Sequence, residues 1–104
     1  MKIRTTEDAR ARARAETDLG RALVQLRDPE EAVSFLRDLC TPAELEALAD
    51  RWQVVRLLLD GLTYRDIQQR TGVSVTTVGR VARFLTDGHG GYRRVAERIQ
   101  GDRT

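Results

Sequence analysis

Cysteine is nearly absent from this sequence, and its scarcity excludes two kinds of stabilisation. Cys40 is the only cysteine, so no disulfide can form within the chain and no cysteine-based zinc site can be assembled. Aromatic residues make up 5% of the sequence, which contains only two prolines and eight glycines. This composition favours helices over a sheet-rich sandwich. We therefore predict an all-α protein suited to a reducing cytoplasm.

Long apolar runs are also missing. The N-terminal sequence MKIRTTEDARARARAE has no apolar segment of signal-peptide length, and no later segment is long enough to span a bilayer. We therefore expect a cytoplasmic protein with no membrane partner. A chain of 104 residues with 40% apolar content forms one small domain, which buries a smaller fraction of its surface than a larger domain would. Oligomerisation would add stability.

Catalytic groupings are absent at workable spacing. No acid and base pair, no nucleophile beside a base and no cluster of metal ligands stands out, so we predict neither an enzyme nor a metalloprotein. The glycine-rich turn around His89 resembles a phosphate loop only superficially, because no lysine and Ser/Thr pair follows it. We interpret this turn as a connection. Trp52 lies on an apolar stripe, where a tryptophan is usually part of the core.

Capping residues divide the chain into six predicted helices. Thr5 or Thr6 caps the first helix after a short arm, Asp28 followed by Pro29 starts the second, and Thr41-Pro42-Ala43-Glu44 starts the third. Gly61 stops the third helix. The predicted segments of a single domain are an N-terminal arm and dimerisation helix over 1–27, core helices over 29–60, a helix pair over 63–87 and a closing helix over 91–100.

The first three helices carry apolar stripes of different width. In the first helix the stripe is thin and would suit a partner helix, although a solvated helix is an equal alternative for residues 6–15. The second helix is predicted to be mostly core, and the third to carry one continuous stripe. The stripes comprise Ala9, Ala13, Leu19, Leu23 and Leu26, then Ala32, Val33, Phe35, Leu36 and Leu39, then Leu45, Leu48, Trp52, Val55 and Leu59, widened by Leu58.

The stretch TYRDIQQRTGVSVTTVGRVARFL, residues 63–85, has the pattern of a helix-turn-helix. Gly72 is predicted to be the pivot, because a tight turn needs a residue that tolerates positive φ. Ser74 is predicted to cap the second helix. The spacing of the apolar residues would give the two helices one small core, formed by Ile67, Val73, Val78 and Val81.

The residues left outside this core are polar or basic. Between Val73 and Thr86 there is no acidic residue, and short polar groups and arginines at the start of a recognition helix are what contacts with DNA require. We therefore predict a DNA-binding surface. The alternative is an ordinary helical hairpin whose polar face is merely solvated. The residues assigned to the surface are Arg65, Gln68, Gln69, Ser74, Val75, Thr76, Thr77, Arg80 and Arg83.

The order of elements, and the sequence from Cys40 to Leu85, resemble the tryptophan repressor family. The segment GHGGYRRV is similar to a less characterised branch of that family. The resemblance implies an intertwined homodimer whose two reading heads lie on one face. Each helix from Val75 would enter a major groove of a pseudo-palindromic operator. Thr76, Thr77 and Arg80 are then candidates for base edges, and the phosphate candidates are Arg65, Gln68, Gln69, Ser74 and Arg83.

The same resemblance implies an effector pocket with an altered lining. Thr41 and Arg51 match the family, and Arg80 matches the arginine that lies against the indole of bound tryptophan. Val81 replaces a glycine, and Phe84 replaces a serine that helps to hold the ligand's amino group. This added bulk argues against tryptophan as corepressor. A smaller amino acid such as histidine, another metabolite, or no ligand with Val81 and Phe84 filling the pocket as core are the alternatives.

Two functions follow from these observations. The first is a dimeric transcriptional repressor of an amino-acid or related metabolic operon, controlled by a small-molecule effector or by none. The second is a helical protein-interaction module with only non-specific affinity for DNA. A palindromic site preference and steep salt dependence would distinguish the first from the second.

Overall fold

A computed structural model describes residues 5–103, and the predicted arm over 1–4 lies outside them. The described part of the chain is all-α, as predicted. Its contacts divide it into two compact units, residues 5–41 and residues 42–103. The helices are α1 (Thr6–Leu23), α2 (Pro29–Leu39), α3 (Pro42–Leu59), α4 (Tyr64–Thr71), α5 (Val75–Asp87) and α6 (Gly91–Arg103).

Helix α1 begins as predicted and ends earlier than predicted. The side chain of Thr5 accepts the N–H of Asp8 while the Asp8 carboxylate accepts the N–H of Thr5, a reciprocal cap at 3.2 and 3.1 Å. The predicted end near Arg27 is wrong, because the helix stops at Leu23. The N–H groups of Gln25 and Leu26 make i to i−3 bonds instead of helical i to i−4 bonds, and the chain must become extended before Pro29.

Helix α2 has the predicted ends but not the predicted burial. Asp28 caps it by accepting the N–H of Glu31 at 2.8 Å, Pro29 occupies its first turn, and Cys40 follows its last residue. We expected this helix to be mostly core, yet neither α1 nor α2 contains a buried residue. Leu39 remains 51% exposed. Within residues 5–103 the apolar side of α2 is only partly covered, since Phe35 and Leu36 are half-buried and Val33 is exposed.

Helix α3 supplies the first part of the buried core. Val54 and Val55 are fully buried, because α3 packs against both α4 and α5. The predicted stripe was partly wrong, since it omitted Val54 and included Leu48 and Leu59, which are exposed. Apolar residues occur on more than one side of α3, and its neighbours select the side that is buried. Gly61, with φ +88°, ends the helix as predicted.

The connection between α4 and α5 confirms the helix-turn-helix pattern. Gly72 has φ +77°, and its N–H bonds the carbonyl of Gln68 at 2.8 Å. The Thr71 hydroxyl donates to the carbonyl of Ile67 at 2.7 Å and accepts the N–H of Val73 at 3.0 Å. The predicted core residues of the pair are all buried, namely Ile67, Val73, Val78 and Val81.

Helix α6 is longer than predicted. It continues beyond Gln100 to Arg103, because Gly101 does not adopt positive φ and an isolated glycine weakens a helix without ending it. Near its start, the ring of Tyr92 lies 6.5 Å from that of Trp52, measured between centroids. Trp52 packs against the core, in agreement with its predicted structural role. None of the helices within residues 5–103 has the length and apolar character needed to cross a membrane.

The left-handed conformation of Gly72 provides a test of the turn. Replacing it in Gly72→Ala should lower the free energy of unfolding by about 1–2 kcal/mol, because a side chain with a Cβ is strained at positive φ. Urea unfolding followed by circular dichroism measures the change. Gly20→Ala is the control, since Gly20 lies inside α1 with open space at its Cβ position. This substitution should raise the free energy of unfolding. Equal effects of the two substitutions would contradict this account of the turn.

Candidate nucleic-acid interface

The N-terminus of α5 is held by a compact hydrogen-bonded cap. The hydroxyl of Ser74 accepts the N–H of Thr77 at 3.1 Å and donates to the Thr77 hydroxyl at 3.1 Å. Thr77 is half-buried. Its hydroxyl therefore has a structural partner, and the two residues before it, Val75 and Thr76, are the exposed ones at the tip of the helix.

Further along α5, the exposed side is cationic. Arg80 and Arg83 are exposed, whereas Val78 and Val81 on the opposite side are fully buried or nearly so. The first turn of α5 contains no acidic residue, and a helix N-terminus carries partial positive charge. This side of the helix therefore combines small polar groups at its tip with guanidinium groups one to two turns later, an arrangement suited to a polyanion.

Helix α4 contributes a second exposed set next to the turn. Ile67 anchors α4 in the core, while Arg65, Gln68 and Gln69 are exposed. The Thr63 side chain caps the helix by accepting the N–H of Asp66 at 3.1 Å. Of the nine residues predicted for the DNA-binding surface, Thr77 alone is not exposed. Their contacts with DNA stay a prediction.

The residues predicted for an effector pocket are partly brought together. Arg51, Arg80, Val81 and Phe84 line one concavity of about 300 Å³, with Tyr92 as an additional wall. Val81 is 1% exposed and belongs to the core, whereas Phe84 is 52% exposed. Only Val81 therefore fills the pocket as core. Thr41 is exposed directly before α3.

A larger concavity of about 430 Å³ shares Phe84 and Tyr92 with the first. The glycine-rich connection around His89 forms part of its wall, together with Trp52. Sequence reasoning assigned no role to Tyr92, although this residue lines both concavities. The available signal was an aromatic residue directly after the turn that contains Gly88, Gly90 and Gly91. Its role could not be predicted, because only the fold shows that the closing helix returns to α3 and α5.

Two residues beside the candidate interface were not singled out from the sequence. Tyr64, the first residue of α4, is 44% exposed. Gly79 lies inside α5, and a Cβ built on it would be 3.8 Å from the Tyr64 ring. A glycine in the middle of a predicted helix was the sequence signal, because such a residue weakens the helix relative to alanine.

The family model described as Trp repressor protein matches residues 17–100. A Bacillus subtilis strain 168 protein, the uncharacterized YerC, is 39% identical over 83 residues, which are 80% of this chain and 80% of YerC.

Two crystal structures have the same fold. A TrpR-like protein from Eubacterium eligens ATCC 27750 shares 40% identity with a TM-score of 0.78, covering 84% of this chain and 90% of that one. A candidate Trp repressor from Staphylococcus aureus shares 33% identity with a TM-score of 0.80, covering 92% of this chain and 96% of that one. The family is one of DNA-binding regulators and not of enzymes. By family model, relative and fold, this chain belongs to the Trp repressor family.

Proposed function

We propose that this protein is a sequence-specific transcriptional repressor that binds a pseudo-palindromic operator as a homodimer. The observation that carries the proposal is the exposed side of α5, where Thr76 precedes Arg80 and Arg83 on a helix anchored by buried valines. A helix presented in this way can enter a major groove and read base edges from its N-terminal turns. The genes that such a repressor would control are those of an amino-acid or related metabolic operon.

Individual roles follow from exposure and position. Thr76 and Arg80 are the proposed base-edge contacts, with Val75 beside them at the tip of the helix. Thr77, whose hydroxyl bonds Ser74, acts mainly by holding the tip in place, so its predicted base contact becomes the weakest of the set. The proposed phosphate contacts are Arg65, Gln68, Gln69 and Arg83, together with Ser74, whose hydroxyl would exchange its bond to Thr77 for one to a phosphate oxygen.

The homodimer is supported by the open apolar surface of the first unit. Helices α1 and α2 contain no buried residue, yet Leu19, Leu23, Val33 and Leu39 present apolar side chains. Covering apolar surface of this kind with a partner contributes about 25 cal/mol of favourable free energy for each Å² that is buried. A second copy would also supply a second reading head, with the two centred roughly 34 Å apart, one helical turn of DNA.

The proposed effector site is the concavity beside Arg51 and Arg80. Two guanidinium groups at its wall favour a ligand that carries a carboxylate. Val81 and Phe84 reduce the space available to an indole, so a smaller amino acid such as histidine fits the proposal better than tryptophan. Because Arg80 belongs to both this concavity and the α5 surface, a bound carboxylate would change how that guanidinium meets DNA.

Selection from a random pool of duplex DNA tests the repressor proposal. Purified protein at moderate salt should enrich one pseudo-palindrome, and the affinity for it should fall steeply as salt increases. The selection is repeated with a mixture of amino acids, and a ligand-dependent change in enrichment would support the effector site. No enriched sequence under either condition would contradict the proposal and favour the protein-interaction module.

Replacing the arginine that belongs to both surfaces is a sharper test of the interface. Arg80→Ala should lose site-specific binding, with operator affinity falling by roughly 10- to 100-fold, because a good arginine contact with a base contributes about 1–3 kcal/mol. Its thermal unfolding should be nearly unchanged, since Arg80 is exposed. Fluorescence anisotropy with a labelled operator gives the Kd. Arg98→Ala, at an exposed position of α6, is the matched control, and a full-affinity Arg80→Ala would refute the assigned role.

The dimer is tested by placing a charge on the apolar stripe of α1. Leu23→Glu should weaken self-association by at least about tenfold, because burial of an unpaired carboxylate in an apolar interface is costly. Sedimentation equilibrium measures the monomer–dimer constant. Ala11→Glu introduces the same charge at an exposed position of α1 outside the stripe and should leave the constant unchanged. A monomeric wild-type protein, or equal constants for the two variants, would contradict this interface.

A further inference from the structure

We infer that Gly79 forms a notch in α5 that lets duplex DNA approach the helix backbone, making this glycine a positioning residue of the interface. The inference rests on the proposed function. It adds to the predicted contact residues a position that acts by having no side chain. The notch is defined by Gly79 together with the flanking residues Val75, Arg83 and Tyr64.

The fold itself does not require glycine at this position. Gly79 lies in the interior of α5 and has no positive φ. A Cβ added there would meet only the Cε2 atom of Tyr64 within 4 Å, at 3.8 Å, which is ordinary van der Waals contact. Alanine would therefore fit, and it would strengthen the helix, since glycine is among the poorest residues for a helix interior. A weaker helix former therefore occupies a position where alanine has room.

Gly79 lies between two exposed side chains of α5. Val75 lies one turn before it and Arg83 one turn after it, and residues four apart are neighbours on a helix surface. Both flanking side chains are exposed. The ridge that they form is therefore interrupted at its centre. Gly79 is itself half-buried, and the partly exposed ring of Tyr64 from α4 borders the interruption at van der Waals distance from its Cβ position.

The charges around the notch favour a nucleic acid as its occupant. Arg80 and Arg83 are exposed on the adjoining surface of α5, and Asp66 is the only acidic residue between Gly61 and Thr86. Missing side chains permit a ligand to come close to a protein backbone. Here the close approach would let the short side chains of Val75 and Thr76 reach the base edges. Long side chains could reach the bases from a greater distance and would not need such an approach.

The test is the affinity of Gly79→Ala for the operator selected by the wild-type protein. Because the methyl group would hold the DNA away from the helix, the Kd should rise by roughly tenfold, the effect of one disturbed base pair. Gly79→Leu should raise it further. The same Gly79→Ala variant should melt about 4 °C higher than wild type, because the helix is strengthened. A more stable protein that binds DNA less well is the expected signature.

Gly101→Ala is the matched control, since it replaces a glycine within α6 that is exposed and has open space at its Cβ position. It should bind the operator with wild-type affinity. Wild-type affinity in Gly79→Ala would overturn the notch, and so would a lowered melting temperature, which would mean that the fold requires this glycine. Weakened self-association with unchanged DNA affinity would assign the notch to a protein partner instead. Failure of the proposed function would give a different result, because the wild-type protein itself would then select no operator.

Discussion

The candidate interface depends on the burial of a few branched side chains where α3, α4 and α5 meet. Val54 and Val55 from α3, Ile67 from α4, and Val78 and Val81 from α5 are the most deeply buried residues of the described chain. Burying each such side chain contributes about 1.5–3 kcal/mol. Branched residues also have restricted rotamers, so this small cluster fixes the rotation of α5 about its axis. That rotation decides which residues of the helix reach the surface.

The turn between α4 and α5 adds precision at the tip of the proposed reading helix. The left-handed Gly72 reverses the chain, the Thr71 hydroxyl satisfies backbone groups on both sides, and Ser74 caps the next helix. Each of these features depends only on residues close in the sequence, so the turn is formed before any ligand binds. A surface ordered in advance loses less conformational entropy when it binds. This is a physical reason for combining a glycine turn with two hydroxyl residues at the edge of an interface.

Apolar surface is distributed unevenly between the two units of the chain. The second unit buries a compact core, whereas α1 and α2 leave leucine and valine side chains open. The second unit also retains open apolar surface at Phe84 and Val95, which line the larger concavity. A small chain cannot cover all of its apolar residues by itself. The proposed homodimer would cover the open side chains of α1 and α2, whereas the proposed effector site beside Arg51 and Arg80 shares only Phe84 and Tyr92 with the larger concavity.

Local chemistry in the sequence determined most of the helix boundaries and the turn. The caps at Thr5, Asp28 and Ser74 and the stops at Gly61 and Gly72 could be predicted because each depends on residues within one turn of the chain. The membership of the family and the core of the helix pair were equally accessible. The predicted contacts with DNA and with an effector are supported by exposure and by a shared concavity, and they remain predictions.

Only the tertiary structure decided which apolar residues are buried and what surrounds them. The stripe on α3 could not be placed from periodicity, because several of its sides are apolar and the packing of α4 and α5 selected Val54. Tyr92 joined the wall of the concavities through the return of α6, and the Tyr64 ring came to 3.8 Å from the Cβ position of Gly79 through the packing of α4 on α5. Burial depends on residues that are distant in sequence and close in space, whereas caps and turns depend on residues that are adjacent in the sequence.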